Sequence, residues 1–319
     1  MAYEFSNTVK IIGFGDVVKE FLRTHAENIK TYNLEIYARN IRKIRQENNC
    51  SFYPLQSYKP SPKNIVFYCC SIDEEEQIKR SHGDKLSRYT VSEQNLRIVR
   101  EFRERGFFDM GLIFVLTNPS DLMAEYIAKT CPNKHVYALG SSVDKHRYQR
   151  IFDATGILNL SLKYDICGTH SDYPLVDIEY NEDIKTLLKT FDIKEPRCAE
   201  KETALLNALR DKLRSEIKME FNGFKPPIKS GALAIANALR DLARNDAVSV
   251  SGLARDSMHF AIGYLDPELL IFKPTRPQSA VCEKLLGEIF RHHQEIFKSM
   301  VPSCEDENYE GPDCFITSE

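Results

Sequence analysis

The feature that most constrains this chain is an alternation of short apolar stretches with helical patterns, repeated five times before residue 140. The apolar stretches lie at 9–12, 34–38, 64–70, 111–116 and 135–139. Each is short and rich in valine, isoleucine or leucine, which is typical of buried strands. Alternating strands and helices predict an α/β fold in which a parallel sheet is covered by helices on both faces.

Two glycines follow the first apolar stretch. Gly13 and Gly15 separate this strand candidate from a helical pattern that continues to about residue 25. The first glycine permits a tight turn, and the second lets a pyrophosphate approach the backbone N–H groups at the helix N-terminus. The third position of this fingerprint is Val18 here, which argues against close packing of the helix on the strand. The spacing indicates a dinucleotide site, and an ordinary strand–helix turn is the alternative.

The residues after the second strand candidate bear on the choice between NAD and NADP. Folds that bind NAD place an acidic residue here, where it binds the ribose 2′-hydroxyl. This chain has Arg39 instead, followed closely by Arg42, Lys43 and Arg45. Cations at this point favour a 2′-phosphate, so we expect NADP rather than NAD. A solvated basic helix face is the alternative.

Residues suited to acid–base chemistry on a small carboxylate lie between residues 136 and 174. Asp144 and Arg147 are three residues apart, so on a helix both side chains leave the same face, and His170 lies in a polar segment. A carboxylate behind an imidazole fixes its tautomer and stabilises its charged form. A guanidinium group binds a carboxylate through two parallel hydrogen bonds. Taken singly, the alternatives are a surface ion pair and a solvated histidine.

Composition limits the possible partners. The net charge is −3 over 319 residues, so we expect neither nucleic acid nor an anionic membrane as a partner. The apolar runs are too short to span a bilayer, and the first residues do not resemble a signal peptide. The nine cysteines include no Cys-x-x-Cys pair, which favours reduced thiols in the cytoplasm. We predict no metal site and interpret the adjacent His292 and His293 as a helix face.

The pattern changes after residue 174. Helices are predicted at 199–221, 230–244 and 279–300, and short strands at 247–251, 260–265 and 269–272. The segment 301–319 is polar and acidic without an apolar period, so we expect a loose acidic tail. We therefore predict a dinucleotide-binding domain at 1–142 and a second domain at 143–300.

The motifs occur in an order found in one family. The chain resembles the lactate/malate dehydrogenases, the NAD(P)-dependent dehydrogenases of 2-hydroxy acids, from residue 9 to about residue 298. The motifs that carry the resemblance are Gly13-Phe14-Gly15, Ser87-Arg88 with Asn95 seven residues later, 117–122, 140–148 and 168–172. The resemblance implies an N-terminal Rossmann-type parallel sheet and a C-terminal α+β domain that binds the substrate and carries the catalytic residues.

The resemblance also implies roles for individual residues. His170 is expected to exchange a proton with the substrate hydroxyl or carbonyl, with Asp144 as its ion-pair partner. Arg147 is expected to hold the substrate carboxylate. Arg88, on a loop that closes over the site, is expected to polarise the carbonyl. Asn118 is expected to hydrogen-bond the substrate and to orient the cofactor ring.

The implied cofactor is NAD or NADP, which supplies the hydride. Gly13, Gly15 and Arg39 are expected to contact it together with Asn118. The chain departs from the family after the third strand, where Cys69-Cys70-Ser71-Ile72 replaces a turn that contains glycine. The loop before Arg88 is also longer than usual, so the residue that selects the substrate cannot be aligned. Candidates for that residue are Lys79, Arg80, His82 and Lys85.

Two functions are compatible with these patterns. The first is a cytoplasmic dehydrogenase of a small 2-oxo or 2-hydroxy acid, and the resemblance implies that it forms a homodimer or homotetramer. The second is an inactive dehydrogenase-like protein that serves as a binding or regulatory subunit, because the cofactor side is altered. We favour the enzyme, since partly buried charges cost stability and a chain released from catalysis has no reason to keep them.

Overall fold

A computed structural model describes residues 5–25, 31–39, 50–71, 92–154, 164–170, 174–178, 189–190, 198–220, 228–254, 260–277 and 279–301. The strands in this part of the chain are β1 Thr8–Ile12, β2 Asn33–Ala38, β3 Cys50–Pro54, β4 Ile65–Tyr68, β5 Leu112–Val115, β6 Val136–Ala138, β7 Tyr164–Cys167, β8 Leu175–Ile178, β9 Val248–Leu253, β10 Phe260–Asp266 and β11 Ile271–Pro274. The α-helices are α1 Asp16–Thr24, α2 Ser92–Glu104, α3 Ser120–Thr130, α4 Gly140–Ala154, α5 Cys198–Glu220, α6 Ile228–Arg244 and α7 Ala280–Met300.

Nine of the strands form one sheet in the order β11-β10-β9-β6-β5-β4-β1-β2-β3. The six strands from β3 to β6 are parallel, in the 3-2-1-4-5-6 order of dinucleotide-binding folds. The remaining three are antiparallel and join the sheet where Ala138 of β6 pairs with Ser251 of β9. The predicted parallel sheet is confirmed, and the C-terminal half of the chain extends it.

Side chains on the two faces of the sheet form two separate apolar cores. One face packs Val9, Ile11 and Phe67 against α1 and α6. The other face packs Val66 and Ile113 against α2 and α3. Every residue of β4 and β5 is buried, as expected for parallel strands that are covered on both sides. These two cores place the carboxyl ends of the parallel strands at one edge, where α1, α3 and α4 begin.

A third core lies beyond the sheet. The antiparallel pair β7–β8 packs there with α4, α5 and α7, through a set of residues that includes Tyr148, Ile166, Leu209 and Leu286. On α5, Leu205, Leu209, Leu213 and Ile217 lie four residues apart, and all are buried in this core. This third core supports the segment that carries His170.

The sequence patterns predicted most elements to within a few residues but missed three strands. β3 is an edge strand that ends in a proline, and its last two residues, Tyr53 and Pro54, are exposed. β7 and β8 each contain an aspartate, so neither is a continuous apolar run like β4 and β5. The predicted boundary at residues 142 and 143 falls inside α4, and the division into two domains stays a prediction. Apart from Val301, the predicted tail lies outside the described residues.

Candidate active site

The candidate site lies at the edge where the parallel strands end. Gly13 follows β1, Thr117 and Asn118 follow β5, and Gly140 begins α4 after β6. A hydrogen bond joins two of these segments, because the Thr117 hydroxyl donates over 2.6 Å to the carbonyl of Cys70, which follows β4. Ligands of open α/β sheets bind at the carboxyl ends of their strands. The positions singled out in the sequence therefore gather where such a fold binds ligands.

Asp144 and Arg147 form a buried ion pair on α4. Arg147 Nη1 donates to Asp144 Oδ1 over 2.8 Å, and their side chains are 2% and 0% exposed. The alternative of a surface ion pair is therefore wrong. Removing two charges from water is costly, so a buried pair of this kind is weak evidence of stability and suggests another use.

His170 reaches the second oxygen of the same carboxylate. Its Nδ1 lies 2.5 Å from Asp144 Oδ2, and the side chain is buried, so the alternative of a solvated histidine is also wrong. An ionised carboxylate only accepts hydrogen bonds, so Nδ1 is the donor and carries a proton. Any proton exchange with a ligand would then take place at Nε2. Asp144 thus joins an imidazole and a guanidinium group through its two oxygens.

The segment that carries His170 is anchored by its backbone. The carbonyl of Gly168 accepts a hydrogen bond of 2.9 Å from the backbone N–H of Ile262 on β10. Gly168 has a φ of +102°, and a Cβ there would lie 3.2 Å from Leu286 Cδ2 on α7. A residue with a side chain would be strained at this φ, so glycine is needed for the segment to pass between β10 and α7.

The imidazole of His170 packs directly on Gly140. A Cβ at Gly140 would lie 2.2 Å from His170 Cγ, 2.3 Å from His170 Cδ2 and 2.7 Å from Ser120 Oγ. No side chain can occupy this space while the imidazole is present. Gly140 belongs to a motif of the sequence analysis, but no role was predicted for it. The sequence signal that could have indicated a role for Gly140 is its position at the start of a helix that closely follows a strand.

Three buried hydroxyl groups near His170 lack a hydrogen-bond partner within the described part of the chain. They belong to Ser120, Ser141 and Thr169. Ser120 lies against Gly140, Ser141 follows Gly140, and Thr169 precedes His170. Buried polar groups in folded proteins are nearly always hydrogen-bonded, so these hydroxyl groups can bind ordered water or the polar groups of a ligand.

The glycine turn after β1 fits a dinucleotide. Gly13 has a φ of +105°, and a Cβ there would lie 2.9 Å from the carbonyl carbon of Cys69, so the turn requires glycine. Gly15 precedes α1 directly, and a Cβ at Gly15 would meet no atom of the described residues within 4 Å. The described residues therefore leave room for a phosphate at the N-terminus of α1. Val18 is fully buried in the core beside α1, so valine is accommodated at the third fingerprint position.

Arg39 is placed at the end of β2, as predicted. Its side chain is 64% exposed, and Arg39 Nη2 lies 3.7 Å from Glu101 Oε2 on α2. An exposed pair at this distance contributes little to stability, so the guanidinium group is accessible to another anion. The basic residues that follow, Arg42, Lys43 and Arg45, lie outside the described residues.

Asn118 lies in the turn between β5 and α3, and the peptide bond that joins it to Pro119 is cis. Its carbonyl accepts a hydrogen bond of 2.6 Å from Nδ2 of Asn95 on α2. Only one residue separates Asn118 from Ser120, which lies beside His170. Arg88 and the candidate specificity residues of the preceding loop lie outside the described residues.

The described part of the chain contains no group of three or more histidine, cysteine, aspartate or glutamate side chains that could hold a metal ion. None of its helices combines the length and the apolarity that crossing a membrane requires.

No protein-family model matches the sequence, and no curated protein sequence matches it. Solved structures do match its fold. Malate dehydrogenase from Plasmodium falciparum has a TM-score of 0.70 and 14% identity, and the match covers 92% of this chain and 98% of that one. Lactate dehydrogenase from Cryptosporidium parvum, in complex with lactic acid and nicotinamide adenine dinucleotide, has a TM-score of 0.70 and 14% identity over 95% and 100% of the two chains.

Malate dehydrogenase from Archaeoglobus fulgidus, in complex with NADH, has a TM-score of 0.61 and 12% identity over 92% of this chain and 99% of that one. This chain therefore has the fold of lactate and malate dehydrogenases along nearly its whole length. The likeness confirms the predicted fold class.

Proposed function

We propose that this chain is an NAD(P)-dependent dehydrogenase of a small 2-hydroxy or 2-oxo carboxylic acid, and a divergent member of the lactate/malate dehydrogenase family. The observation that carries the proposal is Asp144, whose two oxygens bind the guanidinium group of Arg147 and the imidazole of His170. A 2-hydroxy acid presents a carboxylate next to a hydroxyl group. A guanidinium group and an imidazole side by side match those two groups.

His170 is the proposed proton carrier. Asp144 keeps the proton of the imidazole on Nδ1, so Nε2 is the nitrogen that accepts the proton of a substrate hydroxyl. When Nε2 is protonated, the carboxylate of Asp144 compensates the positive charge of the ring. In the reverse direction, the imidazolium gives this proton to the developing alkoxide. General acid–base catalysis of this kind contributes about 10²- to 10⁴-fold to a rate.

Arg147 is the proposed carboxylate-binding residue. A guanidinium group has five N–H donors in a planar fork, so its bond to Asp144 through Nη1 is compatible with a second bond to a substrate carboxylate. The pair with Asp144 also fixes the orientation of the fork before substrate arrives. Arg88 would complete the site by polarising the carbonyl, and Asn118 would hydrogen-bond the substrate.

Gly13, Gly15 and the N-terminus of α1 would hold the pyrophosphate of the cofactor. Asn118 would orient the nicotinamide ring, and the bound cofactor would supply the hydride. We propose NADP as the preferred form, because Arg39 stands where an NAD-binding fold has an acid and is exposed enough to reach a 2′-phosphate. The dinucleotide named in the lactate dehydrogenase structure is NAD, and the malate dehydrogenase from Archaeoglobus fulgidus binds NADH.

The remaining expectations are proposals that follow from the same argument. Residues 1–142 would bind the dinucleotide and residues 143–300 the substrate. The six cysteines whose side chains are described all have free thiols, which supports a cytoplasmic location. A homodimer or homotetramer is proposed from the resemblance alone. An inactive binding protein is the second candidate, favoured by the missing acid after β2, but it gives no reason for burying Asp144 with Arg147.

Two linked measurements test the proposal. Fluorescence titrations with NADH and NADPH measure cofactor binding, and the absorbance of the reduced nicotinamide measures turnover with a panel of 2-oxo acids. We expect dissociation constants well below about 1 mM and turnover of at least one acid. If neither cofactor binds in this range, or no acid is reduced, the dehydrogenase proposal is wrong.

The cofactor preference has its own variant. Arg39→Asp should weaken NADPH binding about tenfold or more while changing NADH binding little, because only NADPH carries the 2′-phosphate. Equal weakening of both cofactors would show that Arg39 does not contact the phosphate, and the preference for NADP would be withdrawn.

A further inference from the structure

We propose that Asn95 is a positioning residue, which fixes the backbone of Asn118 and so sets the geometry of the substrate site. The inference rests on the proposed function. Asn95 belongs to one of the sequence motifs, but neither the resemblance nor the proposed mechanism gave it a role.

Asn95 is a fully buried amide on the buried face of α2. It lies in the first turn of α2, and the next buried residues of that helix, Leu96, Val99 and Phe102, all belong to the core beneath the sheet. Burying an amide is costly unless it is hydrogen-bonded, so packing alone would favour an apolar residue at this position. The side chain is instead used for a bond, from Nδ2 to the carbonyl of Asn118 over 2.6 Å.

That bond acts on the backbone of a proposed substrate residue. The carbonyl of Asn118 belongs to the peptide plane that joins Asn118 to Pro119, directly before α3. Fixing this plane fixes the direction in which the Asn118 side chain leaves the turn. The neighbouring residue Thr117 is anchored to the carbonyl of Cys70 at the end of β4. The turn is thus held from two sides, by β4 and by α2.

The same bond joins two elements beside the site. Asn95 lies in the first turn of α2, which begins at Ser92, and the Asn118 carbonyl lies in the turn after β5. The bond therefore fixes the start of α2 against that turn, between residues 23 apart in the sequence.

Asn133 provides a matched control. It is also buried, its Nδ2 donates to the carbonyl of Gly111 over 2.8 Å, and its Oδ1 accepts from the backbone N–H of His135 over 3.0 Å. Gly111 and His135 precede β5 and β6, so this bond lies at the opposite edge of the sheet. Replacing either asparagine removes a buried amide that holds a backbone carbonyl, but only Asn95 lies beside the site.

The experiment compares Asn95→Ala and Asn133→Ala in the full chain, using turnover of the best 2-oxo acid in the panel. We expect kcat/KM to fall about 10- to 100-fold in Asn95→Ala, because small displacements of substrate-positioning groups have effects of this size. The dissociation constant of the reduced cofactor should stay within about twofold of the unchanged chain. Asn133→Ala should lose a similar amount of thermal stability but keep kcat/KM. Equal kcat/KM in the two variants would overturn the inference.

Asn95→Asp gives a second test with a different readout. A neutral carboxyl group can donate a hydrogen bond to the Asn118 carbonyl, as the amide does, whereas a carboxylate cannot. In this variant kcat/KM should therefore fall as the pH rises through the pKa of the new side chain, a step that the unchanged chain lacks. A pH profile like that of the unchanged chain would contradict the proposed role, even if Asn95→Ala does not fold.

The two levels of the proposal fail in different ways. If the unchanged chain reduces no 2-oxo acid, the proposed function is wrong and the inference falls with it. If the unchanged chain is active and the Asn95 variants behave like Asn133→Ala, only the inference about Asn95 is wrong.

Discussion

The described part of the chain contains two buried imidazole–carboxylate pairs. His170 Nδ1 lies 2.5 Å from Asp144, and His293 Nε2 lies 2.7 Å from Glu125. Each carboxylate also binds a cation, Arg147 in the first pair and Lys129 in the second. By the chemistry of their side chains the two pairs are nearly alike, yet only the first is proposed to react with a substrate.

The surroundings of the two histidines differ. His170 lies on a segment between strands, near the edge where the parallel strands end. It packs on Gly140 and lies near buried hydroxyl groups that have no hydrogen-bond partner among the described residues. His293 lies within α7 and binds Glu125 on α3, so it joins two helices across the core. The comparison teaches that an imidazole–carboxylate pair indicates a reaction centre only where the fold also leaves space and polar atoms for a ligand.

The charge state of His293 follows from its contacts. Burial lowers the pKa of His293, but the hydrogen bond to Glu125 and the carboxylate of Asp121, 3.8 Å away, raise it by more. The pKa of His293 is therefore above its ordinary value. Burial raises the pKa of Glu125, but the bonds to His293 and Lys129 lower it by more. Both shifts favour an ion pair that holds α7 on α3, which is a structural role.

Replacing each histidine by glutamine distinguishes the two proposed roles. His170→Gln should reduce kcat about 10²- to 10⁴-fold, because the proton carrier is lost, while cofactor affinity stays nearly constant. His293→Gln should leave kcat within a few-fold but reduce the free energy of unfolding by about 2 kcal/mol, since a buried charge-assisted hydrogen bond is lost. Steady-state kinetics and urea unfolding of both variants measure the two effects. If His293→Gln loses as much turnover as His170→Gln, the assignment of the two roles is wrong.

Gly140→Ala tests whether the packing on Gly140 sets the position of the His170 imidazole. The new methyl group would lie 2.2 Å from His170 Cγ, so the imidazole must move away. We expect kcat to fall about tenfold or more from displacement of the ring, and stability to fall by about 1–3 kcal/mol from overpacking. The control is Gly287→Ala on α7, where a Cβ would meet no atom of the described residues within 4 Å. That variant should be stabilised by about 0.4–1 kcal/mol. Full turnover in Gly140→Ala would contradict the packing argument.

The smallest effect concerns the pH dependence of the second pair. Because the pKa of His293 is raised in the folded chain, its stabilising contribution is fully present below the unfolded value of about 6.5 and is lost as the pH rises through the folded value. The difference in unfolding free energy between the unchanged chain and His293→Gln should therefore shrink as the pH rises above about 6.5. Urea unfolding of both chains across this range measures it. A difference that grows with pH would mean that the histidine is held neutral.

The fold could be predicted from the sequence because buried parallel strands leave continuous apolar runs that alternate with helices. β7 and β8 were missed because an aspartate interrupts the apolar residues of each strand. Within the site, Asp144 and Arg147 share a helix, so their contact could be predicted from their spacing. The contact of Asp144 with His170 joins residues 26 apart and rested on the family resemblance. The packing of His170 on Gly140, the bond from Asn95 and the burial of His293 depend on tertiary contacts that no local pattern records.

A crystal structure of the chain with a reduced nicotinamide cofactor and oxamate, an unreactive analogue of a 2-oxo acid, would test directly whether Arg147 and His170 bind the substrate. The account predicts the oxamate carboxylate within about 3 Å of the guanidinium nitrogens of Arg147, and the adjacent carbonyl oxygen at the same distance from His170 Nε2. The pyrophosphate should lie over Gly15. Oxamate bound away from both side chains, or a cofactor bound away from the glycine turn, would contradict it.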